Sequence, residues 1–259
     1  MSILAWIILA TFLGGLVSAL VASVFLLTSS ETRNKLLPHL VSFAIGALLG
    51  AAFLGLLPHA IAEAGMENAH SIGLTFVLGI LLFFVLEKAV IWRHCHSSHC
   101  EAHTPEEELR DAAAGRLILL GDALHNILDG ILIGAAFLTD VHLGLVTALA
   151  VFAHEVPQEI GDIVIMLNGG LSPKKSFLYN VLVGFTAILG GVFAYFALEG
   201  AEALLPYVLS IAAGSFVYVA VADLIPGLHK RTDIAGSIQQ IILIGAGLLL
   251  IFLSHSTLH

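Results

Sequence analysis

The chain has 259 residues, 58% of them hydrophobic and 11% charged, with a formal net charge of −9 and two cysteines. A soluble domain has too little interior for that much apolar surface, which leaves an all-α, polytopic membrane protein as the class. The net charge says little about partners, since many of the acids lie within apolar stretches or in one loop; no nucleic-acid partner is expected, and two cysteines are too few for a disulfide framework.

A membrane-crossing helix needs about 20 apolar residues. Eight such segments are predicted within a single transmembrane domain covering 1–259: 3–27, 38–62, 71–92, 116–138, 143–168, 176–198, 203–226 and 237–254. The first follows no basic stretch and is too long for the apolar region of a cleavable leader, so it reads as a span. The second ends in Leu56-Leu57-Pro58-His59, which puts His59 at one mouth of any path. Between the third and fourth spans lies a connection, 93–115, that bears histidine and cysteine. Its residues 94–103 read His-Cys-His-Ser-Ser-His-Cys-Glu-Ala-His, a set that suits soft or borderline cations. Metal capture or sensing is the expectation for that tract. Thr104, Pro105 and the acids after them form a helix start leading into the fourth span.

Charge orients these spans. Arg33, Lys35, Lys88, Arg93, Arg110, Arg116, Lys174, Lys175, Lys230 and Arg231 all lie in or beside the odd-numbered connections. Glu63, Glu67, Asp140, Glu199 and Glu202 occupy the even ones. The positive-inside rule then puts the odd connections in the cytoplasm and both termini outside. A short internal repeat agrees. Ser42-x-Ala44-x-Gly46 precedes Pro58 in the second span, and Ser210-x-Ala212-x-Gly214 precedes Pro226 in the seventh. The two spans run in opposite directions, as in an inverted-topology repeat. The fourth and fifth spans are left as a central pair, a 3+2+3 arrangement.

That pair carries the chemistry. The fourth span contains Asp122, His125, Asn126 and Asp129; the fifth contains His154, Glu155, Pro157, Gln158, Glu159 and Asp162. His125 and Asp129 are four residues apart and share a helix face, with Asp122 extending the stripe. A carboxylate at the bilayer centre costs roughly 2.5–3.5 kcal/mol on insertion scales, so such groups mark ion or proton pathways. Neutral imidazole with carboxylate suits Zn²⁺, Fe²⁺ and Mn²⁺. Pro157 removes a backbone hydrogen bond and frees a carbonyl near Ala153. A proton relay without metal is the rival reading of these groups. A membrane-embedded metal-dependent hydrolase and a proton-coupled solute transporter are the rival functions. The H-E-x-x-H hydrolase pattern fails at Gln158, where the second histidine should stand.

These residues resemble the ZIP family of divalent metal transporters over essentially the whole chain. The fourth-span motif H-N-x-x-D-G matches His125, Asn126, Asp129 and Gly130, and the fifth-span motif H-E-x-P-H-E-x-G-D matches His154, Glu155, Pro157, Glu159, Gly161 and Asp162. The resemblance implies uptake of a divalent transition metal toward the cytoplasm, zinc first, with iron, manganese or cadmium as further cargo. It implies a binuclear-type metal site between spans four and five, with no catalytic residue and no prosthetic group. His125, Asp129 and His154 would form one centre with Gln158 as a weaker ligand, Asn126 and Glu155 would serve a neighbouring centre, and Glu159 would line the path. An elevator-like movement of a central bundle is the implied mechanism. Gln158 stands where that branch has histidine, and Ala51 and Gly55 replace an acid and a histidine of the second span. The expected partners are the metal ion and the lipid bilayer, with a homodimer left open, and the expected location is a bacterial inner membrane.

Overall fold

In lipid no water is available to backbone N–H and C=O groups, so a spanning segment must satisfy them itself, and a helix does so. The computed structural model describes residues 1–95, 107–168, 170–229 and 233–257, and among them it shows eight long helices. We label them α1 (3–27), α2 (30–64), α3 (Ala69–Cys95), α4 (Glu107–Thr139), α5 (Val141–Asn168), α6 (Pro173–Leu198), α7 (205–228) and α8 (Ile234–Thr257). Most of the tract 94–103, together with Thr104 and Pro105, lies outside the described residues.

Local chemistry starts and stops these helices. Ser2, Ser29 and Ser172 accept from the backbone N–H of Ala5, Thr32 and Lys175 at 3.3, 3.2 and 3.4 Å, the usual N-cap arrangement. Asp140 caps α5, its Oδ1 accepting from His142 N at 2.8 Å and Leu143 N at 3.0 Å. Partial burial works to raise the Asp140 pKa, but the two N–H groups, helped by the His142 and His59 side chains, hold it below the ordinary carboxylate value. Gly65, Gly170 and Gly200 turn the chain at φ near +83°, +83° and +82°. The α5 helix continues through Pro157.

Among the described residues, seven segments are long and apolar enough to cross a membrane: Ile3–Val24, Lys35–Ala64, Met66–Leu86, Leu119–Thr139, Pro173–Leu198, Glu202–Leu228 and Ile234–Ser254. The remaining long helix, α5, carries Glu155, Glu159 and Asp162 within two turns. Outward faces are apolar, with Leu189, Phe193 and Ile241 well exposed, as a bilayer as solvent requires. The protein is a multi-pass integral membrane protein. Its apolar core, including Leu48, Ile133, Phe137, Leu143, Leu209 and Phe216, lies where α2, α4, α5 and α7 meet.

The sequence repeat is also a geometric one. In α2 a π-helical turn, Ala51–Leu56, begins five residues after Gly46 and ends two before Pro58. In α7 a π-helical turn, Val219–Leu224, holds the same register to Gly214 and Pro226. A proline ring collides with the carbonyl four residues back, and widening the turn before it relieves that clash. The glycines serve equivalent contacts. A Cβ on Gly46 would lie 1.9 Å from Ile244 O of α8, and one on Gly214 would lie 2.1 Å from Phe76 O of α3. Only the absence of a side chain lets these backbones touch.

Candidate metal centre

Two neighbouring helices supply the centre. On α4, His125 and Asp129 share one face; on α5, His154 and Glu155 are adjacent at the level of that face. One ligand atom from each of the four lies within 4.8 Å of all the others. His154 Nε2 stands 3.1 Å from Asp129 Oδ2 and 3.6 Å from Glu155 Oε1. His125 Nε2 stands 3.3 Å from His154 Nε2, 3.7 Å from Asp129 Oδ2 and 3.5 Å from Glu155 Oε1. A tetrahedral ion with ligand bonds of about 2.0–2.2 Å separates its ligand atoms by about 3.3–3.6 Å. The observed spacings bracket that edge length.

Electrostatics sharpen the point. His154 Nδ1 lies 3.0 Å from the carbonyl of Ala150 one turn earlier, so that nitrogen donates. Its Nε2 lone pair then faces the acids, the arrangement that orients a metal-binding imidazole. Neither oxygen of Glu155 makes a hydrogen bond, and the residue is fully buried. Two imidazole nitrogens and two carboxylates therefore converge on one point, an assembly that suits a cation. Aromatic rings wall the site, Phe83 of α3 at 5.8 Å from the His125 ring and Phe216 of α7 at 6.1 Å from the His154 ring, both edge-on.

Of the seven residues expected at the site, four form the quartet and three do not join it. Asn126 Nδ2 donates to Asp122 Oδ1 at 3.1 Å, and Gln158 Nε2 donates to the same oxygen at 3.3 Å. Asp122 thus draws both amides to itself. Glu159 is fully buried with neither oxygen hydrogen-bonded. Asp122 itself, Phe83, Phe216 and Asn180 of α6, whose amide lies against the backbone of Glu159, were not among those seven. Asp122 was legible through its three-residue spacing from His125. The aromatic walls and Asn180 lie on helices remote in sequence, where only the packing brings them in.

His59 is half-buried and its Nδ1 lies 2.9 Å from the carbonyl of Gly55. Asp223 sits in the π-helical turn of α7, and its charge reaches both His154 and Asp162.

The family described as ZIP zinc transporter matches residues 2–116 and 91–255. The zinc transporter ZIP13 of Pongo abelii is 31% identical over 236 residues, 86% of this chain and 68% of that protein. The zinc transporter foi of Drosophila melanogaster is 37% identical over 172 residues, 62% of this chain but only 24% of its own length. The zinc transporter ZIP6 of Homo sapiens is 40% identical over 132 residues, half of this chain and 17% of its own. With a family match running along nearly its whole length, the chain belongs to the ZIP zinc transporter family.

Proposed function

We propose that the chain carries divalent transition-metal ions, zinc first, across a membrane toward the cytoplasm, with His125, Asp129, His154 and Glu155 as the ligands that hold the ion in transit. The convergence of four ligand atoms from two adjacent helices, at the spacing of a tetrahedral shell, carries this reading. Two neutral imidazoles and two carboxylates bind zinc well without thiolate, so the ion can also leave. The ion is cargo, and no prosthetic group is needed. Iron, manganese and cadmium fit the same donors less selectively.

In this reading α5 is the eighth crossing helix. Its acids lower its apolarity because they serve the ion, and α4, α6 and α7 shield them from lipid. Both termini lie outside and the connections 29–37, 93–115, 169–175 and 229–236 lie in the cytoplasm, by the asymmetry of Lys and Arg. The repeat of α2 in α7, with its matching π-helical turns, supports an inverted 3+2+3 arrangement. The relatives named above come from animals and lend no support to a bacterial inner membrane; fluorescent tagging in the source cell decides which membrane holds the chain. The absence of a second histidine at Gln158 leaves a zinc-hydrolase reading without its motif.

Zinc uptake into proteoliposomes tests the function. The intact chain should accumulate Zn²⁺, and His154→Ala and Asp129→Ala should abolish accumulation while both proteins still insert and fold. Normal uptake by both variants would remove the quartet from the path. Failure of the intact chain to move any first-row dication would remove the function.

A further inference from the structure

The structure assigns a second cation station, built from oxygen donors, to Asp122, Glu159 and Asn180, one helical turn from the quartet toward the cytoplasmic ends of α4, α5 and α6. It rests on the reading above that the quartet holds the cargo. Asp122 lies three residues before His125 on α4, and Glu159 lies four residues after Glu155 on α5. Four helical residues advance about 6 Å. Both steps lead to the same end of the helix pair, the end joined to the connections 93–115 and 169–175. Asn180 enters from α6, where its Nδ2 donates to the carbonyl of Glu159 at 3.3 Å. Three helices thus meet at one level.

The group is more than a set of acids. Asp122 Oδ2, both oxygens of Glu159 and Asn180 Oδ1 are buried and make no hydrogen bond. Ser176 Oγ, one turn before Asn180 on α6, is likewise buried and unbonded. Asp122 is 5% exposed, and Glu159 and Asn180 are 0% exposed. Buried acceptors are nearly always partnered, so open carboxylates on α4 and α5, with an open amide carbonyl on the α6 residue that touches the Glu159 backbone, leave donors for a cation. The charges of Asp122 and Asp162 act on Glu159, and those of Asp122 and Asp223 on Asp162. The donors are oxygens only, so the station favours harder dications and holds zinc more weakly than imidazole does. A weaker site beside a tighter one gives the ion a step out of the quartet, as multi-site conduction requires. The amides of Asn126 and Gln158, pinned on Asp122 Oδ1, leave Asp122 Oδ2 for the ion.

The full chain tests this with Glu159→Gln and Asn180→Ala. The first keeps the volume and removes the charge; the second removes a neutral donor; melting in detergent reports whether each is folded. Mn²⁺ bound per chain is counted by electron paramagnetic resonance, and zinc influx is followed in proteoliposomes. In each variant the Mn²⁺ count should fall by one, zinc should still bind the quartet, and kcat for influx should fall about tenfold at little-changed KM. An unchanged Mn²⁺ count, or a kcat within about twofold of the intact chain, overturns the station. Loss of zinc from the quartet in both variants also overturns it, since the residues would then belong to the first site. If the intact chain moves no dication, the transport reading fails and this one with it.

Discussion

Gly130 and Gly161 both stand in motif positions of the two central helices, yet the structure gives them opposite tolerance. A Cβ on Gly130 would sit 1.9 Å from the carbonyl oxygen of Ala187 and 2.8 Å from Gly191 N, both backbone atoms of α6 that cannot rotate aside. Ordinary contact starts at 3.4 Å, so α4 and α6 must part by about 1.5 Å to admit alanine. Overpacking of this kind costs about 1–3 kcal/mol. The neighbouring Asp129 would move with the α4 backbone, and a displacement of about 1 Å at a site of fixed geometry lowers activity by about 10²-fold. Gly161 has nothing within 4 Å of its Cβ position. Alanine there removes backbone entropy from the unfolded state and costs nothing sterically. Zinc influx and melting temperature on Gly130→Ala and Gly161→Ala check the contrast. Gly130→Ala should melt lower and transport poorly, and Gly161→Ala should match or exceed the parent in stability with influx intact. Equal behaviour of the two would refute the packing argument.

Asp140→Ala should lose the α5 cap at a cost of about 1 kcal/mol, read as a lower melting temperature. Because the folded-state pKa of Asp140 is depressed, its contribution is present above the ordinary carboxylate value and is lost as pH falls through the lower folded value. Melting followed from neutral pH into acid should show the parent and Asp140→Ala converging only at that acid end. Gln158→His should free Asp122 Oδ1 of one donor and offer the centre another imidazole, giving tighter zinc binding and slower release by titration and influx; unchanged affinity would show that position 158 cannot reach the ion. Gly55→Ala should be neutral, since its Cβ would make ordinary contacts of 3.5 and 3.6 Å with Leu143 and Val146. Gly55→Leu should wedge α2 against α5 and depress influx while zinc binding persists; full influx would show that these helices do not move past each other.

The membrane-helical fold was legible because its signal is hydropathy, summed over tens of residues, and is insensitive to tertiary detail. The α5 helix was the hard case. Its acids weaken the apolar signal, and the expectation that it crosses rests on the alternation of Lys and Arg between connections. The repeat was legible as Ser-x-Ala-x-Gly with a later proline, but the π-helical turns that complete it leave no pattern of their own in the sequence. At the site, helical spacing put His125 with Asp129 and His154 with Glu155. It could not say that Asn126 and Gln158 turn to Asp122, because that choice depends on how α4 and α5 are rotated against each other. Nor could it name Phe83, Phe216 or Asn180, since residues far apart in sequence meet only through packing.

The distribution of backbone contacts says which parts would travel together. Gly130 and Gly190 bring α4 and α6 together, and Gly15 and Gly184 bring α1 and α6 together. Gly46 and Gly247 do the same for α2 and α8, and Gly79 and Gly214 for α3 and α7. Between these sets α5 meets α2 through side chains at ordinary distances, as at Gly55 with Leu143. A shift between sets breaks dispersion contacts that can re-form elsewhere, whereas a shift within one must pull carbonyls off glycines. The quartet lies wholly on α4 and α5, while its aromatic walls, Phe83 and Phe216, come from α3 and α7. If α5 travels with the α4–α6 set, movement against α3 and α7 would carry the four ligands as a unit and change only the rings that enclose them. The ion would then exchange an outward path for an inward one without its ligands having to be taken apart.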